Sequence, residues 1–305
     1  MSGKVGSKGL QARGSSRMEG SDVIGVRLTV LGSGSAGNAT LLERGNQRVL
    51  IDVGLSYREA ARRLDSIAVP PESIGAVLIT HAHGDHTRGA ALFSRRHGVP
   101  VHATPATQEV WGEANVSSWG ELRCDAVNEI CGFRFTPFEV SHDADAETVA
   151  FAIETPDGAI GFATDIGVVT PLIRERFRDC RLLVIESNHA TDLLQVGPYP
   201  QSTKERIGSQ RGHLSNESLA VFVREHLGRS VRCLVLAHLS RVNNVPEIAE
   251  MSCREALEAR GRDDVRVVIS RQDRVAETVD LGSWSAPRRA GASANPQVAL
   301  PFIPA

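Results

Sequence analysis

The segment Leu78-Ile79-Thr80-His81-Ala82-His83-Gly84-Asp85-His86 places three histidines and an aspartate within six residues, directly after an apolar strand-like run. Neutral imidazole and carboxylate each offer a lone pair to a divalent metal. Core packing asks for no such concentration of donors. The competing reading is a polar surface loop that happens to be rich in histidine. His81 and His83 lie two apart, so one ion can take both. Asp85 and His86 are adjacent and continue the loop, so they can serve a second ion. Two ions need more donors than one loop provides, and the chain offers them at the same kind of place, just beyond an apolar strand. His142 follows Phe138-Glu139-Val140-Ser141, Asp165 follows Phe162-Ala163-Thr164, and His238 follows Leu234-Val235-Leu236-Ala237. Each alone reads equally well as a turn former or strand-edge residue. The ordered set, HxHxDH and then His, Asp and His, points to a site at one edge of a sandwich.

The elements that must hold these donors follow from periodicity. Val26–Leu31, Ala39–Leu42 and Arg48–Val53 read as strands, with Gly45-Asn46 turning between the last two. Tyr57–Ala68 has helical spacing, with Ala60, Ala61, Leu64 and Ile67 on one face. Ala76–Thr80 reads as a buried strand and Thr87–Arg96 as a helix ended by His97-Gly98-Val99-Pro100. Further strands are expected at Phe133–Val140, Thr148–Glu154, Ala159–Ala163, Leu182–Ile185, Cys233–Ala237 and Val265–Ile269. Helices are expected at Pro171–Arg178, Asn216–Leu227 and Val245–Ala259. Consecutive strands early, then alternating strands and helices, predict two sheets with helices outside.

The chain of 305 residues is 41% hydrophobic and 23% charged, so it can bury a sizeable core. A net charge of −2 advertises no global field for nucleic acid, although a local basic face can hide inside such a balance. No apolar run reaches the roughly 18 residues of a membrane helix, and the N-terminus lacks the apolar segment of a signal peptide. The five scattered cysteines form no CxxC and read as free thiols of a reducing cytosol, so a cytoplasmic location is expected. Residues up to about Gly25 read as a disordered, weakly basic tail, and from about Ser283 the chain is again low in complexity.

The donor order resembles the metallo-β-lactamase superfamily, over roughly Val26 to Asp280. The resemblance implies an α/β fold, an αββα sandwich of two mixed sheets flanked by helices, with one hydrolase domain at 26–282 between the tails. It implies two divalent ions at one edge. His81, His83 and His142 would bind one ion. Asp85, His86 and His238 would bind the other, with Asp165 bridging. Asp52, in Leu50-Ile51-Asp52-Val53-Gly54, matches the family's early strand-end aspartate, which supports the metal loop from behind; otherwise it is an ordinary turn aspartate. A hydroxide between the ions would be the nucleophile. Zinc suits the ligands, and manganese is the alternative.

Three further segments narrow the branch. Glu186-Ser187-Asn188-His189 follows a strand, Gly212-His213-Leu214-Ser215-Asn216-Glu217 opens a helix, and His238 is followed by Leu239-Ser240-Arg241-Val242-Asn243-Asn244. Glu186 and His213 resemble the pair that protonates the leaving oxygen in phosphodiesterase branches. Against this, Glu186 can be a strand-end charge and His213 a residue that merely precedes a capped helix. Together with the Ser/Gly loop at 32–38, these segments resemble the YycJ/WalJ-type exonuclease subfamily, which implies a DNA exonuclease acting from 5′ ends. The loop from Gly197 to Gly212, with Lys204, Arg206, Arg211 and Tyr199, can hold phosphates and stack a base or be a solvated charged loop. The 32–38 loop can offer N–H groups to phosphate or simply connect two strands. At the C-terminus Gln297-Val298-Ala299-Leu300-Pro301-Phe302 resembles the peptides that dock on the bacterial sliding clamp; it can instead fold back on its own domain. Two rivals stand beside the nuclease: a small-molecule metallohydrolase (cyclic phosphodiesterase or thioesterase) and a non-catalytic regulatory protein, against which the complete donor set argues.

Overall fold

The computed structural model describes residues 24–112 and 115–284. The sliding-clamp peptide at Gln297–Phe302 and nearly all of both predicted tails lie outside the described residues.

Fourteen strands among the described residues form two seven-stranded sheets. The first sheet takes β1 (Arg27–Gly32), β2 (Ala39–Arg44), β3 (Gln47–Ile51), β4 (Ala76–Leu78), β5 (Val101–Ala103) and β6 (Trp119–Glu121). The second takes β7 (Asn128–Ile130), β8 (Phe133–Val140), β9 (Thr148–Glu154), β10 (Ile160–Ala163), β11 (Leu182–Glu186), β12 (Cys233–Ala237) and β13 (Arg266–Ile269). The chain then returns to the first sheet through β14 (Val279–Asp280), antiparallel to β1. Each sheet is mixed. Antiparallel hairpins join β1, β2 and β3, and parallel pairs join β3 through β6. The second sheet repeats this, antiparallel from β7 to β10 and parallel from β10 to β13.

Side-chain alternation explains the layering. One face of β8, β9 and β11 (Phe133, Phe135, Val149, Phe151, Ile153 and Val184 among its residues) fills the core between the sheets with Val49, Ile51 and Leu78. The opposite face of the second sheet (Phe138, Ala150, Leu183, Ile185) packs on α5 (Pro171–Arg176), α8 (Asn216–His226) and α9 (Pro246–Ala259). The outer face of the first sheet (Leu41, Leu50, Val77) packs on α1 (Tyr57–Ser66) and α3 (Ala90–His97). Strands buried on both faces are nearly continuous apolar runs, as parallel layers demand. Each fully buried large side chain contributes about 1.5–3 kcal/mol of transfer free energy. Ser56, Thr170 and Ser215 cap α1, α5 and α8, each accepting from an N–H three residues on, for about 1 kcal/mol apiece. The αββα sandwich expected from the sequence is therefore present. All five cysteines are free, and no described helix is long and apolar enough to cross a membrane.

Two expectations need correcting. The helix predicted over Thr87–Arg96 is two helices, α2 (Gly84–Thr87) and α3, broken at Gly89. Gly89 donates its N–H to Val53 O, and a Cβ there would lie 2.2 Å from Leu55 O. The backbone approach that seats the metal loop thus interrupts the helix. The loop predicted at 197–212 is partly helical: α6 (Thr191–Val196) leads into it and α7 (Gln201–Ile207) lies within it. Between β5 and β6, α4 (Pro105–Trp111) completes the helices.

Candidate metal centre

The candidate donors converge because the parallel strands of both sheets end at the same edge. Asp52 follows β3, His81 follows β4, Asp165 follows β10, Glu186 ends β11 and His238 follows β12. The carboxyl ends of parallel strands are where open α/β sheets place ligands. Asp52, Asp165 and His238 all have positive φ (60°, 56° and 55°). A non-glycine residue there costs about 1–3 kcal/mol and persists only where its surroundings over-determine it.

The short helix α2 presents the loop donors, and the backbone grips it closely. Asn38 N donates to Asp85 O and Val53 N to His86 O. A Cβ on Gly54 would meet Asp85 O at 1.6 Å, so only glycine fits there.

Three sets of three donors each have their ligand atoms within 4.8 Å of one another: His81, His83 and His142; Asp85, His86 and His238; and, between these, His81, His86 and Asp165. Asp165 thus lies beside both of the first two sets, 3.8 Å from His142 Nε2 and 3.1 Å from His86 Nε2. Four of the five histidines are tied at Nδ1: His86 to Asp52 at 2.7 Å, His238 to Glu186 at 2.8 Å, His81 to Thr80 Oγ1 at 3.1 Å and His142 to Gly212 O at 3.1 Å. The Nε2 atoms of His81, His142 and His238, and Asp165 Oδ2, are buried without a hydrogen-bond partner. Buried polar atoms are almost always satisfied. Imidazoles fixed at Nδ1 by an outer partner, with Nε2 left free, are the arrangement that metal ligation requires. The donor set therefore fits divalent metal.

Electrostatics agree. Burial opposes charge throughout this cluster. Even so, Asp165, Asp85 and Glu186 raise His238 to about 10. Burial likewise opposes charge on Glu186, but His213 and His238 bring its carboxyl down to about 2. His81 is pushed well below its usual value by burial and by His86. Buried carboxylates held charged against mutually repelling imidazoles form a site that positive ions would relieve.

The segments around Glu186, His213 and His238 are laced together. Glu186, fully buried, lies 2.8 Å through Oε1 from both His213 Nδ1 and His238 Nδ1, and its Oε2 accepts Ile166 N at 2.7 Å. Asn188 Nδ2 donates to His238 O, Asn244 Nδ2 to Ser187 O, and Ser187 Oγ to Asn216 Oδ1. The Glu186–His213 contact expected from the sequence is present, and the same carboxylate also orients His238. Asp165, Glu186, His213 and His238 form a further close group, explained by these contacts.

Sequence reasoning passed over Thr80 and Asn38. The Thr80 N–H donates to Asp52 Oδ1 at 2.9 Å, and its hydroxyl lies between Asp52, His81 and His86. Asn38 Nδ2 reaches His86 Nε2 at 3.0 Å and Asp85 Oδ2 at 3.4 Å. The only sequence signal for them is position, next to a strand end or a Gly/Ser loop. The phosphate-cradle reading of the 32–38 loop is not supported. The N–H groups of Ser33, Gly34, Ala36, Gly37 and Asn38 are all spent on Arg271 O, Asn38 Oδ1, Gln272 Oε1, Gly34 O and Asp85 O. Instead, Ser33 Oγ accepts His238 N. His97 and His226 sit away from the site, paired with Tyr57 and Arg174.

A family model described as the beta-lactamase superfamily domain matches residues 47–239. Exodeoxyribonuclease WalJ of Streptococcus pneumoniae is 32% identical over 235 residues, covering 75% of this chain and 87% of that protein. The chain belongs to the metallo-β-lactamase superfamily, in its YycJ/WalJ branch. Exodeoxyribonuclease YycJ of Bacillus anthracis is 29% identical over 253 residues, covering 78% of this chain and 91% of that one. Among solved structures, the metallo-β-lactamase fold protein YhfI from Bacillus subtilis superposes with a TM-score of 0.63 at 17% identity, over 82% of this chain and 98% of that one, and so shares the fold. As a member of this branch the chain is a metal-dependent hydrolase.

Proposed function

We propose that the chain is a dinuclear metal-dependent phosphodiesterase of the cytoplasm that degrades DNA from 5′ ends, with its catalytic domain at 26–282. The observation that carries this reading is the pair of three-donor sets around Asp165 with the Glu186–His213 contact beside them. The exodeoxyribonuclease names of the WalJ and YycJ relatives support the substrate. His81, His83 and His142 would hold one ion, Asp85, His86 and His238 the other, and Asp165 both; zinc or manganese suits these donors. Bound there, the ions supply Lewis acidity and water of lowered pKa.

The chain's own residues do the rest. Asp52 and Thr80 fix the His81 and His86 rings. Glu186 holds His238 and His213 in register. His213, tied at Nδ1 to Glu186 and 16% exposed, would present Nε2 to the departing oxygen as proton donor. Arg211 reaches His142 O and Arg206 lies 3.8 Å from Asp143, so two cations stand beside the site for the phosphate backbone.

A panel of 5′- and 3′-labelled single- and double-stranded DNA, matched RNA and a cyclic mononucleotide tests this, with zinc or manganese supplied in turn. Release of label from the 5′ end of DNA ahead of the 3′ end is expected. Turnover confined to the cyclic mononucleotide would leave the small-molecule hydrolase standing instead.

The reading includes the tail, where Gln297-Val298-Ala299-Leu300-Pro301-Phe302 would dock on the sliding clamp; its support is the sequence alone. Deleting 297–305 is expected to abolish measurable clamp binding in a titration, and unchanged affinity refutes the docking.

A further inference from the structure

A polar cavity of about 310 Å³ opens beside His213, between α6, α7 and the start of α8. Its volume falls at the lower end of the roughly 300–1,000 Å³ of small-ligand sites. His213 is the one residue that both lines this cavity and belongs to the close group around Asp165. A group that departs past His213 therefore enters the cavity.

The lining says what that group is. Thr191, Gln195, Gln201, Ser215 and Ser218 bring neutral donors and acceptors, with Lys204 the one ammonium and Glu205 a carboxylate. A lining with one ammonium and one carboxylate offers a single cation to a phosphate and leaves most of its contacts to the neutral parts of a ligand. Hydroxyls and ring heteroatoms suit those contacts. Side-chain amides both donate and accept, so they can meet the edge of any base. Lys204 spends one of its three N–H groups on Gln195 O at 2.6 Å, leaving two for a neighbouring phosphate. His189, which also lines the cavity, is 3% exposed with Nδ1 unpartnered. The mechanism gives this histidine no task.

We infer that this cavity is the subsite for the single nucleotide whose oxygen departs past His213, its nucleoside portion read by neutral hydrogen-bonding groups and its phosphate met by Lys204. The inference rests on the phosphodiesterase reading of the adjoining centre. It assigns base-tolerant, one-nucleotide recognition to the α6–α7 segment.

The test uses thymidine 5′-monophosphate as probe, titrated calorimetrically into the full-length protein, both metal-loaded and chelator-treated. The double variant Gln201→Ala/Lys204→Ala lies on an accessible helix face and is checked by thermal unfolding. It is expected to bind the probe about tenfold or more weakly in both states. KM for a DNA oligonucleotide should rise by a similar factor while kcat changes little, and Lys204→Arg should keep most of the affinity. Probe affinity equal to wild type in the double variant overturns the subsite. A wild-type protein that hydrolyses bis(p-nitrophenyl) phosphate but leaves the oligonucleotide intact overturns the nuclease reading itself, so the two failures are told apart.

Discussion

Replacing Asp85 with alanine is expected to lower turnover by roughly a thousandfold or more while the fold stands. Metal ions contribute several kcal/mol of transition-state stabilisation, and each 1.36 kcal/mol is a factor of ten. Asp85 is the most informative donor to remove because so little else depends on it. Its side chain is 20% exposed, and its polar neighbours Asn38 Nδ2, His238 Nε2 and His86 Nε2 lie 3.4, 3.5 and 3.6 Å away. All are at or beyond the limit of a good hydrogen bond. Asp165 offers no such clean reading. It is 2% exposed and lies 3.1 Å from His86 Nε2 and 3.4 Å from His238 Nδ1. Removing it takes a buried carboxylate away from two buried histidines and from both donor sets at once, so loss of fold and loss of metal are not separated.

On the two-ion proposal, elemental analysis should find close to two ions per chain in wild type and close to one in Asp85→Ala. An ion present at a hundred times its Kd stabilises by about 2.7 kcal/mol. The gap in Tm between metal-loaded and chelator-treated protein should therefore shrink in the variant, while the chelated forms melt together. Full turnover in Asp85→Ala would remove the two-ion mechanism.

What the sequence disclosed about this centre follows from how its residues are held. His81 to His86 are legible because four donors fall on one loop. His142, Asp165 and His238 are legible because each follows an apolar run, and such runs are reliable strand signals when buried on both faces. Phe133–Val140 and Thr148–Glu154 match their strands to the residue because each is a largely apolar run long enough to register. The three-residue β5, β6 and β7 are too short for any period to register, and they exist because neighbouring strands supply their partners. The break at Gly89 and the fit of Gly54 against Asp85 O come from backbones remote in sequence, which no local pattern encodes. Thr80 and Asn38 carry ordinary residue types whose role is set by the loops that follow neighbouring strands of the first sheet. The double use of Glu186 was hidden for a like reason: the sequence offers it one histidine partner in the resemblance, and the fold offers two.

That double use shapes the expected result for His213. Changing His213 to alanine should slow hydrolysis of an alkoxide-leaving substrate such as DNA by about 10²–10⁴-fold, the range of general acid catalysis. Hydrolysis of a nitrophenyl ester, whose leaving group needs no proton, should slow far less. The difference between the two substrates is the diagnostic, because a structural role for His213 would depress both alike. His213 is suited to such a selective test. Its side chain is 16% exposed, and removing it still leaves Glu186 paired with His238 Nδ1 and with the N–H of Ile166. The buried carboxylate therefore keeps partners and His238 keeps its orientation. Glu186→Gln should behave differently. The amide cannot carry the charge that both imidazoles face, so His238 loses its counter-ion along with His213, and metal content should fall together with turnover on both substrates. Equal losses on DNA and on the nitrophenyl ester in His213→Ala, with metal content unchanged, would remove His213 as the proton donor and leave it a positioning residue of the cavity wall.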